Sequence, residues 1–202
     1  IDIIIKYFKN IPLSAIYLAD TFGGCNDRST AKSINILLNS LIDKNLDIEI
    51  GFHSHNNMQN ALSKTILSIN QGCTYVDSSI NGLGRGAGNL CSELLFMETN
   101  KEKITDNKNI FPLIFYADKF IRNNEEYNNN KYVYGYNVLY AYSGYKSIHP
   151  DYVNDLINYE KPFKIAKALK ILQQIYDLNN KKKFRNYDKT LVNRLLQKLK
   201  IS

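Results

Sequence analysis

The sequence is poor in cysteine and has no long apolar run. Only 3 of its 202 residues are cysteine, and Cys25, Cys73 and Cys91 form neither a C-x-x-C pair nor an even framework. We therefore expect reduced, buried thiols in a cytoplasmic protein. No run reaches the roughly 18 apolar residues that a membrane-spanning helix needs, and no signal peptide is visible. The sequence thus predicts no membrane partner.

Acidic residues are also in the minority, since 19 Asp and Glu face 26 Lys and Arg, for a net charge of +7. This excess raises the question of nucleic-acid binding. The basic residues are spread along the chain, however, and the one cluster, at residues 181–185, is typical of a solvated loop between helices. No nucleic-acid recognition motif accompanies the charge. We therefore expect no nucleic-acid partner.

The first hundred residues alternate between two hydrophobic periods. Short apolar runs predict three buried parallel strands, at residues 15–19, 48–52 and 75–80. A loop and an amphipathic helix follow each run. We expect Asp27 to cap the first helix and Gly72 to end the second. Three strand–loop–helix units in a row predict an α/β fold with a parallel sheet and right-handed crossovers.

Strand signals fade after about residue 100. Amphipathic spacing instead predicts four helices, at residues 110–121, 151–157, 163–176 and 191–199. We therefore expect two parts: an α/β part at residues 1–103 and a helical C-terminal extension at residues 104–202.

Two of the 3 histidines in the chain, His53 and His55, stand at the end of the second predicted strand. Side chains at i and i+2 point to one face of a strand, with Cα atoms roughly 6.6 Å apart, so both imidazoles can converge on one metal ion. No thiolate is within reach by spacing, so oxygen ligands should complete the shell. This favours Mn, Mg, Co or Zn in an open, substrate-accepting site. The alternative is a coincidental pair whose nitrogens bond to the backbone.

A glycine-rich loop at residues 82–89 (GLGRGAGN) follows the third predicted strand. It fits G-x-G-x-x-A, but the further strand with an acidic end that a dinucleotide site requires does not follow. We expect Gly84 to allow close approach to a bound ligand and Arg85 to add positive charge for an anion. Asn89 either offers an oxygen to a metal or caps the next helix.

Two further groups are candidates for chemistry. Asp20 follows the first predicted strand and either holds a metal-bound water or substrate hydroxyl, or simply shapes the turn. A tyrosine cluster occupies residues 132–145. Most of these rings are expected to be packing residues, although a phenol near a metal can act as an acid.

Taken together, three segments resemble the last three strands of a DRE-TIM metallolyase barrel. They are residues 18–24 (LADTFGG), 51–57 (GFHSHNN) and 76–89 (VDSSINGLGRGAGN). Order and spacing match that family over about residues 11–98. Residues 140–145 (YAYSGY) are similar to a segment of the 4-hydroxy-2-oxovalerate aldolase type, so that type is favoured.

The resemblance implies a TIM (β/α)8 barrel and a site for a divalent metal. His53 and His55 are the implied metal ligands, joined in some members by an Asn that corresponds to Asn89. Manganese is the first choice of metal, with Mg, Co or Zn as alternatives. The loosely aligned Tyr145 corresponds to a proposed catalytic acid, and we place Asp20 beside it as a second catalytic candidate.

The implied reaction cleaves or forms a carbon–carbon bond next to a 2-oxo acid, through a pyruvate enolate, with an aldehyde as the other product. A homo-oligomer and an aldehyde dehydrogenase partner are implied as well. Two alternatives stay open. One is a Claisen condensation of an acyl-CoA with a 2-oxo acid, and the other is a non-catalytic remnant that binds a partner.

The chain departs from the family pattern in one respect. The Arg-Asp pair of the family's first strand is absent, and three strands cannot close an eight-stranded barrel of about 250 residues. The chain also begins without Met. We therefore expect a fragment: the last three βα units of a barrel, followed by a helical C-terminal domain, with the N-terminal barrel strands missing.

Overall fold

The computed structural model describes residues 12–100, 135–159, 165–179 and 186–198, with a few isolated helical positions outside these ranges. Its first part contains a parallel sheet of three strands in sequential order, β1 (Ala15–Asp20), β2 (Glu49–Ser54) and β3 (Tyr75–Val76). In the register of this sheet, Leu18 pairs with Phe52, and Phe52 pairs with Val76. The expected parallel α/β arrangement is confirmed.

Three helices follow the strands: α1 (Asp27–Asp43), α2 (Ala61–Asn70) and α3 (Ser92–Thr99). The buried residues of α1 include Ile34, Leu37 and Leu41, whose spacing of three and four places them on one face. They pack against Ile50 and Phe52 of β2 in one apolar cluster. This burial fixes one face of the sheet against the helices.

The other face of the sheet carries different side chains. The Tyr17 ring lies over Gly51, where an added Cβ would meet it at 2.5 Å, and stacks on Tyr75 with 6.3 Å between ring centroids. His53 follows Gly51 by two residues and therefore points to this same face. The histidine motif thus emerges on the side of the sheet opposite the helices.

The predicted end of the third strand and the predicted cap of α1 were wrong. The third strand ends at Val76 rather than residue 80, because the Ser79 amide bonds to the Leu90 carbonyl and the chain turns into a short 3-10 helix (Ile80–Gly82). The cap of α1 is Asn26, not Asp27. The Asn26 side chain accepts from the Ser29 amide, and the Ser29 hydroxyl oxygen accepts from the Asn26 amide, which forms a capping box.

Four helices form the second described part: α4 (Val138–Tyr145), α5 (Asp151–Ile157), α6 (Ile165–Asn179) and α7 (Leu191–Lys198). They enclose their own apolar core, in which Tyr152 and Ile171 are fully buried. Helix α5 matches its prediction, α6 and α7 differ from theirs by a few residues, and α4 was not predicted as a helix. Most of the helix predicted at residues 110–121, and the proposed division at residue 103, lie outside the described residues.

None of the helices in the described ranges is both long and apolar enough to cross a membrane.

Candidate metal centre

Three loops and two helices meet at the carboxyl end of the sheet. The loops follow β1, β2 and β3, and the segment that covers them runs from α4 into α5. Contacts between the two sides include Phe22 with His149, Gly24 with Gly144, Asn57 with Ser143, Arg85 with Asp151, and Gly86 with Tyr140. The loops predicted to carry chemistry therefore share one edge of the sheet, as parallel strands require.

The two histidines of the H-x-H motif lie side by side, with ring centroids 5.1 Å apart and planes inclined by 80°. His53 Nδ1 lies 3.0 Å from Asp77 Oδ2. A carboxylate at this nitrogen fixes the tautomer in which Nδ1 carries the proton, so Nε2 keeps a lone pair. His53 is thus prepared to act as a ligand through Nε2.

His55 lies deeper than His53 and is only 9% exposed. Burial, helped by the nearby charges of His53 and Arg85, lowers the pKa of His55 to about 4. Its imidazole is therefore neutral at neutral pH. Among the described residues, its Nδ1 atom has no hydrogen-bond partner.

Asn89 reaches the same place from the glycine-rich loop. Its main chain forms an antiparallel bridge with His55, and its Nδ2 donates to the Leu83 carbonyl at 3.0 Å. Its Oδ1 is buried and meets no donor in the described part of the chain. Asn89 does not cap α3, whose N-cap residue is Cys91. Any Cβ at Gly84 would lie 2.5 Å from Asn89 Nδ2, so the absence of a side chain there admits the Asn89 amide.

These donors fit a divalent cation. Nitrogen from His53 and His55 and an amide oxygen from Asn89 form the N,N,O set that Mn, Co or Zn accepts. His55 Nδ1 and Asn89 Oδ1 are buried atoms without a hydrogen-bond partner in the described residues, and the main chains of these two residues are bridged, so a cation near both would supply the missing partner. No group of three or more His, Cys, Asp or Glu side chains is gathered for a metal within the described ranges. Three protein ligands would leave positions free for a substrate, as in catalytic rather than structural sites.

Asp20 is buried at the end of β1, with 6% of its surface exposed. Its Oδ2 accepts from the ammonium of Lys64 and its Oδ1 from the Gly24 amide at 3.1 Å. The Cys25 amide adds a bond of 3.3 Å. The carboxylate that we proposed for catalysis is thus engaged by a lysine and by the loop that follows it.

Lys64 itself was missed in the sequence. Its neighbours on the buried face of α2 are Ala61, Thr65 and Ser68, at helical spacing. A lysine within such a stripe is a readable signal of a buried charge that needs a partner.

Arg85 and Tyr145 lie at the border of the site. The Arg85 Nε is 3.6 Å from Asp151 Oδ1 at the start of α5, and the Arg85 side chain is 44% exposed. Tyr145 ends α4 and is 67% exposed, with the Lys146 ammonium 5.2 Å from its ring centre. The tyrosine that packs inward is Tyr140, and burial raises its pKa to about 12.

The chain is similar to known proteins of one family. The HMGL-like family model matches residues 2–117, more than half of the chain. A 4-hydroxy-2-oxovalerate aldolase of Bacillus thuringiensis (strain Al Hakam) is 38% identical over 90 residues, which cover 45% of this chain and 25% of that protein. The chain thus spans about a quarter of the length of this relative and of two Bacillus cereus relatives of the same name.

Solved structures show the same fold. The N-terminal domain of a putative aldolase from Bacteroides vulgatus is 31% identical, with a TM-score of 0.56 over 73% of this chain and 46% of that one. The carboxyl transferase domain of Rhizobium etli pyruvate carboxylase reaches a TM-score of 0.67 over 98% of this chain and 33% of that one, at 13% identity. Because the HMGL-like family model matches more than half of the chain, the chain belongs to the HMGL-like family, as the DRE-TIM resemblance predicted.

Proposed function

We propose that this chain carries the metal-binding part of a divalent-metal-dependent aldolase. The enzyme would cleave or form a carbon–carbon bond next to a 2-oxo acid, as in relatives named 4-hydroxy-2-oxovalerate aldolase. The observation that carries this proposal is the His53–His55 pair, with ring centroids 5.1 Å apart beside a buried Asn89 oxygen that lacks a donor.

His53, His55 and Asn89 would hold the cation, with Mn preferred and Mg, Co or Zn as alternatives. When bound, the cation supplies Lewis-acid polarisation of the 2-oxo group. Asp77 keeps His53 in the tautomer that leaves Nε2 available. Burial keeps His55 neutral, so no proton has to leave its ring before it acts as a ligand.

The remaining site residues would act on the substrate. We infer that Arg85 binds an anionic group and that Gly84 keeps the loop close to it. Tyr145, whose phenol is exposed at the end of α4, would protonate the pyruvate enolate after the aldehyde leaves. For Asp20 we infer a supporting role, because Lys64 and two loop amides already engage its carboxylate.

The described residues contain three strands, whereas a barrel of this class has eight. We propose that these strands belong to the last three βα units and that five more units, with an Arg-Asp pair on the first strand, complete the enzyme. The small share of the relatives' length that the chain covers supports this view. We also propose a homo-oligomer and an aldehyde dehydrogenase partner, which the resemblance to the aldolase type implies.

Pyruvate release tests the proposal. The intact enzyme, in which the further units complete the barrel around this chain, is incubated with 4-hydroxy-2-oxovalerate and Mn²⁺, and pyruvate is followed by lactate dehydrogenase and NADH. We expect release that EDTA abolishes and that the His53→Gln/His55→Gln variant lacks. Release that survives both treatments would refute the metal-dependent mechanism. Thiol release from acetyl-CoA with a 2-oxo acid, in place of pyruvate release, would point to the Claisen reaction instead.

A further inference from the structure

We propose that Lys64 is a positioning residue that holds the main chain of His55 and the loop after β1 in one arrangement. The inference rests on the proposed function, because it assigns Lys64 a role in keeping a proposed metal ligand in place. It goes beyond that function in naming a buried lysine on α2 as part of what makes the metal site.

The partners of Lys64 lie on two different strands. Its side chain is fully buried, and its ammonium donates to Asp20 Oδ2 at the end of β1. The same ammonium lies 3.4 Å from the carbonyl oxygen of His55, just beyond β2. One charged group on α2 therefore joins the ends of two neighbouring strands.

Asp20 in turn binds the loop that follows it, so this loop is linked to Lys64 through the Asp20 carboxylate. Its carboxylate accepts from the amides of Gly24 and Cys25, at 3.1 and 3.3 Å. A second link runs from α2 to the same loop, since Asn60 Nδ2 donates to the Cys25 carbonyl at 2.9 Å. Lys64 and Asn60 thus fix the loop relative to α2.

His55 is held from its other side by the glycine-rich loop. The amide of Asn56 donates to the Gly88 carbonyl at 2.8 Å, and His55 itself forms a bridge with Asn89. Lys64 contacts the His55 carbonyl from α2. Without it, the His55 carbonyl would lose its contact with α2, although the β1–β2 pairing and the Ala61 amide bond to Asn56 Oδ1 would still hold the neighbouring residues.

Stability alone does not explain a buried ion pair at this position. Replacing such a pair by apolar groups of similar volume is often neutral or stabilising, whereas removing one partner leaves a costly unpaired charge. The pair joins a proposed ligand's main chain to a site loop, so we assign it a positioning role.

The test compares three variants of the full chain. Lys64→Met removes the ammonium at similar length, and Asp20→Asn/Lys64→Met removes both charges. Ser68→Ala is the matched control, because Ser68 is buried on the same helix face but its hydroxyl donates to the Thr65 carbonyl rather than to Asp20 or His55. Two quantities are measured: Mn²⁺ affinity by calorimetry, and the ring ¹⁵N signals of the metal-free protein, which are few because the chain has 3 histidines.

We expect Lys64→Met to weaken Mn²⁺ binding about tenfold, the lower end of the loss seen when groups that orient metal ligands are removed. It should also shift the His55 ring signals, whereas Ser68→Ala changes neither. The double variant should regain stability towards urea but not Mn²⁺ affinity, and it replaces Lys64→Met in both measurements if that variant does not fold.

Unchanged Mn²⁺ affinity and unchanged His55 signals in the variants would overturn the proposal and leave Lys64 with a structural role only. If the wild-type chain binds no Mn²⁺, the proposed metal-dependent function fails instead. The ring signals then decide the positioning role by themselves: a shift confined to His55 supports it, and no shift overturns it.

Discussion

At the scale of single residues, the Asp77 carboxylate sets the tautomer of the His53 ring, with 3.0 Å between Asp77 Oδ2 and His53 Nδ1. The i, i+2 spacing predicted that His53 and His55 share a face, and their rings do lie side by side. Asp77 belonged to a quoted motif but was given no role. Its place follows from the parallel register, in which Phe52 pairs with Val76 and the next residues, His53 and Asp77, become neighbours. Register is a property of the assembled sheet, so the motif alone could not supply it.

The contact between Asp77 and His53 predicts how a substitution of Asp77 changes metal affinity. Asp77→Asn keeps the size of the side chain but removes the carboxylate that fixes the His53 tautomer. We expect Mn²⁺ affinity to fall about 10-fold to 100-fold, as is common for groups behind metal-bound histidines. Calorimetric titration measures it. Asp47→Asn is the control, because it makes the same charge change at an exposed position. Equal affinities in the two variants would contradict the role of Asp77.

At the scale of elements, α4 is the main feature that the sequence did not predict. Its tyrosine-rich segment has no clear apolar stripe, and the helix is fixed instead by its cap and by tertiary contacts. The Asn137 side chain accepts from the amides of Leu139 and Tyr140. Gly144 then lies against the loop after β1, so close that a Cβ at Gly24 would collide with the Gly144 carbonyl. Such close contact between distant segments is not readable from local pattern.

The contact predicts an order of stability. Gly24→Ala places a methyl group against a backbone carbonyl and should lower the free energy of unfolding by about 1–3 kcal/mol. Gly144→Ala meets its nearest atoms at 3.2 Å, and the higher helix propensity of Ala, worth about 1 kcal/mol, offsets that crowding. Urea unfolding measures both variants. A Gly144→Ala chain less stable than the Gly24→Ala chain would contradict this packing.

The corrected cap of α1 gives a second prediction at this scale. Asn26→Ala removes the acceptor for the Ser29 amide and should cost about 1 kcal/mol. Asp27→Ala removes a charge from the first turn, for which a few tenths to about 1 kcal/mol is typical, together with an exposed 3.3 Å bond from the Ser63 hydroxyl. Thermal unfolding of the two variants side by side decides between them. A larger loss for Asp27→Ala would restore the original assignment of the cap.

At the scale of the whole molecule, the strand–loop–helix order was readable because each element buries its own apolar face. The packing of α4 and α5 over the strand ends was not, since it joins segments more than 80 residues apart, such as Asn57 and Ser143. The Lys64–Asp20 ion pair was not predicted for the same reason, because the two residues are 44 apart in the chain. The sequence therefore predicted the loops that meet at the site better than the contacts that hold them.

A bound cation should stabilise this whole arrangement. A ligand that binds only the folded chain adds about 2.7 kcal/mol at a concentration 100 times its Kd. We therefore expect Mn²⁺ to raise the midpoint of thermal unfolding and EDTA to reverse the effect. Calorimetric scans with Mn²⁺ and with EDTA measure it. A midpoint that does not respond to Mn²⁺ would mean that the folded state holds no metal under those conditions.

The most direct test of the central claim is a calorimetric titration of Mn²⁺ into three proteins: the wild-type chain, His53→Gln/His55→Gln, and His149→Gln. The third histidine is the matched control, because it lies beside Phe22 and Tyr187 rather than in the H-x-H pair. We predict one Mn²⁺ per chain in the wild type and in His149→Gln, and none in the double variant. Equal binding by all three proteins, or none by the wild type, would contradict a metal centre at His53 and His55.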